Sequence, residues 1–199
     1  MVLERNKAFA FNTDVKVRGP FLCDSSGARQ LEMKHAPRDR ILSSRFIGII
    51  SDTHGLLRPE ALAALRGSDY IIHAGDIGDS AILKQLAEIA PVTAIRGNVD
   101  REAWARKIPS TNVLEVGGIS IYVLHNLNEL DLKPEAAGFD VVVCGHSHRP
   151  NQEMKNGVLY FNPGSAGPRR FGLPATVGRL TISAGKVSGE IVELCGGGK

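Results

Sequence analysis

At 199 residues, 43% of them hydrophobic, the chain can bury one sizeable core and has an ordinary globular composition. Its net charge of +3 comes wholly from residues 1–44, where eight Lys/Arg face five Asp/Glu; the rest balances at sixteen against sixteen, without the basic excess of a typical nucleic-acid binder. Three cysteines, Cys23, Cys144 and Cys195, form no CxxC pair and read as reduced thiols of a cytoplasmic protein, while no apolar run reaches membrane-helix length and charges break up any signal-peptide core.

Residues 1–44 show no sustained periodicity. Ala8–Phe11 and Val15–Val17 have strand character, but Gly19-Pro20 and Ser25–Gly27 interrupt them, so this stretch reads as a loosely ordered extension. Met33 is a candidate natural start. A single domain is expected from 45 to 199, built from two stacked, mixed sheets with helices outside.

Phe46–Ile50 is a continuous apolar run, as expected of a strand covered on both faces. It stops at Asp52 and His54. Pro59–Arg66 reads as a short helix opened by proline and closed by Gly67. Tyr70–Ala74 is a second strand, ending in Gly75-Asp76. A helix capped by Asp79 or Ser80 follows, with Ile82, Leu83, Leu86 and Ile89 on one face and Pro91 as its stop. Val92–Ile95 is a third strand and leads to Gly97-Asn98, completing a βαβαβ pattern.

The second half is richer in strands. Val113–Val116 and Ile119–Leu124 form a hairpin across Gly117-Gly118, and the latter strand runs into His125. After a short helix near Asp131–Ala137, Val141–Cys144 is a buried strand leading to His146 and His148. Gln152–Lys155 and Val158–Phe161 flank Asn156-Gly157, a strong hairpin signal. Val177–Ser183 and Lys186–Leu194 make the last hairpin, and the glycine-rich residues 196–199 read as a flexible tail.

Five strands thus end in residues able to bind metal: Asp52/His54, Asp76, Asn98, His125 and His146/His148. Four of the six histidines stand in these positions. The donor set is oxygen and nitrogen without thiolate, which favours Mn²⁺, Fe or Zn²⁺, with Ni²⁺ or Co²⁺ able to substitute.

In this order, Asp52-x-His54, Gly75-Asp76, Gly97-Asn98, His125 and Gly145-His146-x-His148 resemble the signature of calcineurin-like metallophosphoesterases. Asn162–Ser165 with Pro168-Arg169 further resembles the small bacterial and archaeal phosphodiesterase branch. The resemblance covers roughly residues 47 to 194. It implies a four-layer αββα sandwich and a dinuclear centre of two divalent cations, Mn²⁺ foremost. One would take Asp52, His54 and His148, the other Asn98, His125 and His146, with Asp76 bridging. Asp76, Asn98 and His146 would serve catalysis through a hydroxide bridging the metals, and Asn98, Asn162 and Arg169 would contact substrate. The implied partner is a small-molecule phosphodiester, and domains of this size often pair as homo-oligomers.

Two departures from the family pattern stand out. Val99 occupies the position where many members of the wider family carry a histidine proton donor, and the phosphodiesterase branch commonly lacks it too. Asn126 follows the ligand histidine where the branch usually has glycine, which bears on loop shape and substrate choice. A non-catalytic interaction module, like the retromer subunit that shares this architecture, is the alternative from another class; retention of all seven donors argues for the enzyme. A phosphomonoesterase is a third reading, against which the missing histidine argues mildly. Elsewhere, His73 reads as a packed or hydrogen-bonded core residue, His35 as solvated, Asp79 as a helix cap and Cys144 as core packing. Asp100 is either a support for the ligands or a cap of the next segment, and Arg169 and Arg170 are either a solvated pair or a phosphate contact.

Overall fold

The computed structural model describes residues 15–18, 44–170 and 172–195. Met33, His35, Cys23 and the glycine-rich residues 196–199 lie outside the described residues. The strands in chain order are β1 (Val15–Arg18), β2 (Arg45–Ile50), β3 (Tyr70–His73), β4 (Val92–Ala94), β5 (Thr111–Val116) and β6 (Ile119–Leu124). They continue as β7 (Val141–Val143), β8 (Asn151–Lys155), β9 (Val158–Asn162), β10 (Thr176–Ser183) and β11 (Lys186–Glu193). Helices are α1 (Pro59–Leu65), α2 (Ser80–Ala87) and α3 (Pro134–Ala137). None is long and apolar enough to cross a membrane.

Two mixed sheets result, in the orders β11-β10-β2-β3-β4 and β1-β5-β6-β7-β9-β8. In the first, β2, β3 and β4 run parallel, as the βαβαβ pattern requires. In the second, β6, β7 and β9 do the same. The remaining pairs are antiparallel, and the expected hairpins close at Val116↔Ile119, Lys155↔Val158 and Ser183↔Lys186. Asn156 and Gly157, at φ 52° and 81°, give the tight turn its left-handed pair.

Alternation along each strand builds the layers. Ile47, Ile49, Ile72, Leu180 and Ile182 of the first sheet meet Leu114, Ile121, Val123, Val141, Val143 and Phe161 of the second in one core. The intervening residues Ile50, Ile71 and Val177 turn outward onto Leu65 of α1 and Ile82 and Leu86 of α2. Pro59 opens α1, and Asp79 caps α2 by accepting a hydrogen bond from Ala81 N at 2.8 Å. The outer face of the second sheet has a thinner cover. There Tyr122 stacks on Phe139 at 5.1 Å, just beyond α3.

The structure differs from expectation at the edges. Val15–Arg18 pairs antiparallel with β5, so the N-terminal stretch contributes an edge strand. The helix expected near Asp131–Ala137 is only Pro134–Ala137: Lys133 is still extended and Pro134 opens the helix, while Gly138 at φ 79° closes it where expected. Thr111 and Asn112 extend β5, and β8 is exposed along its whole length.

Phe161 is the largest fully buried side chain. Its ring fills space that two glycines of the facing sheet leave open: a Cβ on Gly178 would overlap the ring, and one on Gly189 would stand 2.6 Å from it. Replacing Phe161 with Ala is expected to cost about 3–5 kcal/mol. Urea unfolding checks this, and a loss below about 1 kcal/mol would show that the ring does not organise the inter-sheet core.

Candidate metal centre

The carboxyl ends of the parallel strands of both sheets converge, the arrangement in which open α/β sheets build their sites. Asp52 and His54 follow β2, Asp76 follows β3, Asn98 follows β4, His125 follows β6, and His146 and His148 follow β7. All seven residues singled out in the sequence therefore lie at one edge. Asp52 and His54 share a side, but not through strand alternation. The backbone beyond β2 has turned left-handed, with φ of 54° at Asp52 and 46° at His54. Asp76, His146 and His148 do the same at 54°, 67° and 57°. Left-handed backbone at a residue with a Cβ costs roughly 1–2 kcal/mol, so five of the seven donors sit in conformations that the surrounding fold must enforce.

The enforcement is visible. Asp52 N donates to Gly75 O at 3.0 Å, His54 N to Asp76 O at 2.9 Å and Gly55 N to Ile77 O at 2.8 Å, extending the β2–β3 pairing past the strand ends. Ser165 Oγ donates to Asp52 O at 3.0 Å, and Ala166 N to Ser51 O at 3.0 Å. Two glycines allow the loops to close up. A Cβ on Gly97 would collide with Asp76 Oδ1, and one on Gly145 with Ser51 Oγ.

Among the described residues, two sets of donor atoms each fall within 4.8 Å of one another: Asp52, His54 and His148, and Asp52, Asp76 and His125. His148 Nε2 lies 3.3 Å from Asp52 Oδ1 and 3.3 Å from His54 Nε2. Asp76 Oδ2 is 3.3 Å from His125 Nε2 and 3.8 Å from His54 Nε2, so this carboxylate reaches a donor of each set. Asn98 and His146 stand on the open side, exposed, with His146 Nδ1 and Asn98 Oδ1 3.0 Å apart. His146 joins the cluster through its N–H to Asp52 Oδ2 at 3.1 Å and through edge contact with the His125 ring.

The donors fit a cation. Asp52 Oδ1 and His125 Nε2 are buried without a well-aligned hydrogen bond, a costly arrangement unless another group takes up their lone pairs. His125 Nδ1 is satisfied by donating to Ala74 O at 2.7 Å, which leaves Nε2 facing the cluster. Burial pushes Asp52 up to about 6, and pushes His54 and His148 below their ordinary values, which favours the neutral imidazoles that metal ligation requires. The charge of Arg170 lowers both of these histidines further. Burial also raises Asp76, but the contact and charge of His125 outweigh it and hold the carboxyl below its usual value; His125 is raised in return.

Three further residues support these loops. Asp100 accepts from Gly97 N at 2.8 Å, Gly78 N at 2.9 Å and Ile77 N at 3.1 Å, tying the β4 loop to the β3 loop. It braces the loops that carry the candidate donors through their backbone and bonds no donor side chain, so it supports the candidates only indirectly. His73, fully buried and pushed down to about 3 by that burial, accepts from Gly75 N and contacts Thr53 Oγ1 at 2.9 Å, while Thr53 donates to Ile77 O. It is the hydrogen-bonded core residue expected. Asn162 donates to Gly145 O at 2.8 Å and to Ser147 Oγ at 3.1 Å, and accepts from Gly164 N at 2.9 Å. Its amide thus holds the His146–His148 loop from beneath. Cys144 is a packed thiol, pushed up to about 12 by burial.

Two mixed sheets, with a carboxylate–imidazole cluster where their parallel strands end, define the class of metallophosphoesterase-fold proteins. The family model for the calcineurin-like phosphoesterase superfamily domain matches residues 46–185, and the chain belongs to that superfamily. It is 32% identical to a probable metallophosphoesterase of Methanothermobacter thermautotrophicus over 158 residues, covering 73% of this chain and 91% of the relative. Among solved structures, a novel archaeal phosphodiesterase is 25% identical with a TM-score of 0.62, covering 74% of this chain and 99% of that one. Vacuolar Protein Sorting 29 from Cryptosporidium parvum, 19% identical with a TM-score of 0.61 over 75% of this chain and 97% of that one, shares the fold.

Substituting Asp100 with Ala leaves three backbone N–H groups without their acceptor. At about 1–3 kcal/mol for each one left unsatisfied, the expected loss is at least ~3 kcal/mol in urea unfolding. Unchanged stability would remove Asp100 from the loop architecture.

Proposed function

We propose that the chain is a metal-dependent phosphodiesterase holding two divalent cations at this edge. The observation that carries the reading is the packing of Asp52, His54 and His148, and of Asp52, Asp76 and His125, each within 4.8 Å. In this reading Asp52, His54 and His148 hold one cation, Asn98, His125 and His146 the other, and Asp76 serves both. Hard oxygen and borderline nitrogen donors without thiolate suit Mn²⁺ first. Bound there, two divalent cations would supply Lewis acidity and an activated water at neutral pH.

The chain's own residues prepare that chemistry. His125, anchored through Nδ1 on Ala74 O, keeps Nε2 as the ring nitrogen turned to the cluster. The left-handed turns fix the carboxylates and imidazoles before substrate arrives, so little reorganisation is needed. The exposure of Asn98 and His146 supports a role for them in meeting the phosphate. Of the adjacent arginines, Arg170 has a charge that acts on His54 and His148, which supports a guanidinium contact to the anion near Arg169 and Arg170. The described cysteines, Cys144 and Cys195, are free, which supports a reducing, cytoplasmic setting.

Metal analysis combined with hydrolysis of bis(4-nitrophenyl) phosphate tests the assignment. Wild type is expected to carry about two equivalents of metal, and Asp76→Ala and His146→Ala to lose at least about 10²-fold in kcat/KM, equivalent to ~3 kcal/mol of transition-state stabilisation. Metal-free wild type, or full activity in both variants, overturns it.

Val99 supplies no proton to the departing alkoxide. General acid catalysis contributes typically ~10²–10⁴ in rate, so aryl diesters are expected to outpace alkyl diesters by at least that range. Equal kcat for the two classes, with chemistry rate-limiting, would show that another group donates the proton.

A further inference from the structure

Five large apolar side chains are exposed among the described residues: Phe46 at 39%, Leu56 at 41%, Val99 at 44%, Leu127 at 40% and Met154 at 60%. Three of them stand one or two residues beyond a candidate ligand, each on a different loop. Leu56 follows His54, Val99 follows Asn98 and Leu127 follows His125. Two of these loops leave the first sheet and the third leaves the second, all at the edge where the candidate donors stand. Scattered surface leucines need no explanation, but three on the very loops that carry those donors do.

The backbone holds each in place. Val99 N donates to Asp76 Oδ1 at 3.1 Å, and Leu56 N to Thr53 O at 2.8 Å. Leu127 opens a 3-10 turn, Leu127–Glu129, that Asn126 caps: Asn126 Oδ1 accepts from Asn128 N at 3.1 Å and its amide donates to Glu129 Oε1 at 3.2 Å. The residue that departs from the family pattern therefore builds the turn that presents Leu127.

We propose that Leu56, Val99 and Leu127 form an apolar collar that receives an apolar or aromatic ester arm of the substrate, with Leu127 its main determinant and Asn126 its positioning residue. The inference rests on the phosphodiesterase reading and names the substrate class: a diester anion bearing at least one planar or aliphatic group. Its anionic head meets the cluster and Arg170, while its arm covers side chains that water otherwise wets. Small, fully hydroxylated phosphoesters gain nothing from such a rim.

Calorimetric titration of the metal-loaded protein with phenylphosphonate and methylphosphonate reads the collar without any turnover, because the C–P bond is not hydrolysed. Wild type is expected to bind the phenyl compound about tenfold more tightly. The ratio of the two Kd values is expected to fall towards one in Leu127→Ser and, through the lost cap, in Asn126→Gly; Val99→Ser and Leu56→Ser give intermediate ratios. Equal affinities in wild type, or a ratio unmoved in all four variants, overturn the collar. Hydrolysis of bis(4-nitrophenyl) phosphate by the same wild-type preparation reads the catalyst separately. Turnover with equal phosphonate affinities sinks the collar alone, whereas neither turnover nor phosphonate binding sinks the phosphodiesterase reading and the collar with it.

Discussion

The buried carboxylate of Asp52 is the junction on which the two sheets depend. Its main chain pairs with the β3 loop and with Ser165, and its Oδ2 accepts the N–H of His146 from the opposite sheet. A fully buried carboxyl of this kind is expensive in a fold without a compensating charge. Burial accordingly drives it up to about 6. The same group that joins the layers is thus the one most in need of a cation. Structure and chemistry converge on one side chain.

From that junction the remaining architecture follows. Parallel strands send all their carboxyl ends to one edge, so donors far apart in sequence arrive together without long loops. Phe161, seated over Gly178 and Gly189, fills the space between the sheets just behind that edge, one residue before Asn162. Asp100, His73 and Asn162 then fasten the loops by backbone hydrogen bonds.

Much of this was legible in the sequence because its signals are local. Apolar runs of strand length, Asn156-Gly157 and the polar residues that close each run specify strands, a hairpin and an edge. The left-handed turns at Asp52, His54, Asp76, His146 and His148 were not, since neither aspartate nor histidine announces that backbone region as glycine does. Asp100 could be read as support or cap, because its partners, Ile77, Gly78 and Gly97, come together only through the β3–β4 pairing. Val15–Arg18 carries too little apolar character to declare its alignment with β5. The thin cover of the second sheet was hidden as well, since α3 begins only at Pro134 and so makes a single turn. Asn98 and His146 were legible as donors but not as the exposed members of the set, which depends on how far each loop overhangs the cluster.

The five left-handed donors also carry an evolutionary implication. Glycine accepts that conformation without penalty, so each of these positions carries a strain that a bare scaffold has no use for. A descendant copy relieved of any need for metal would be rewarded for abandoning them one by one. The same sandwich, once quieter and sturdier at this edge, would be free to serve as a platform for other proteins.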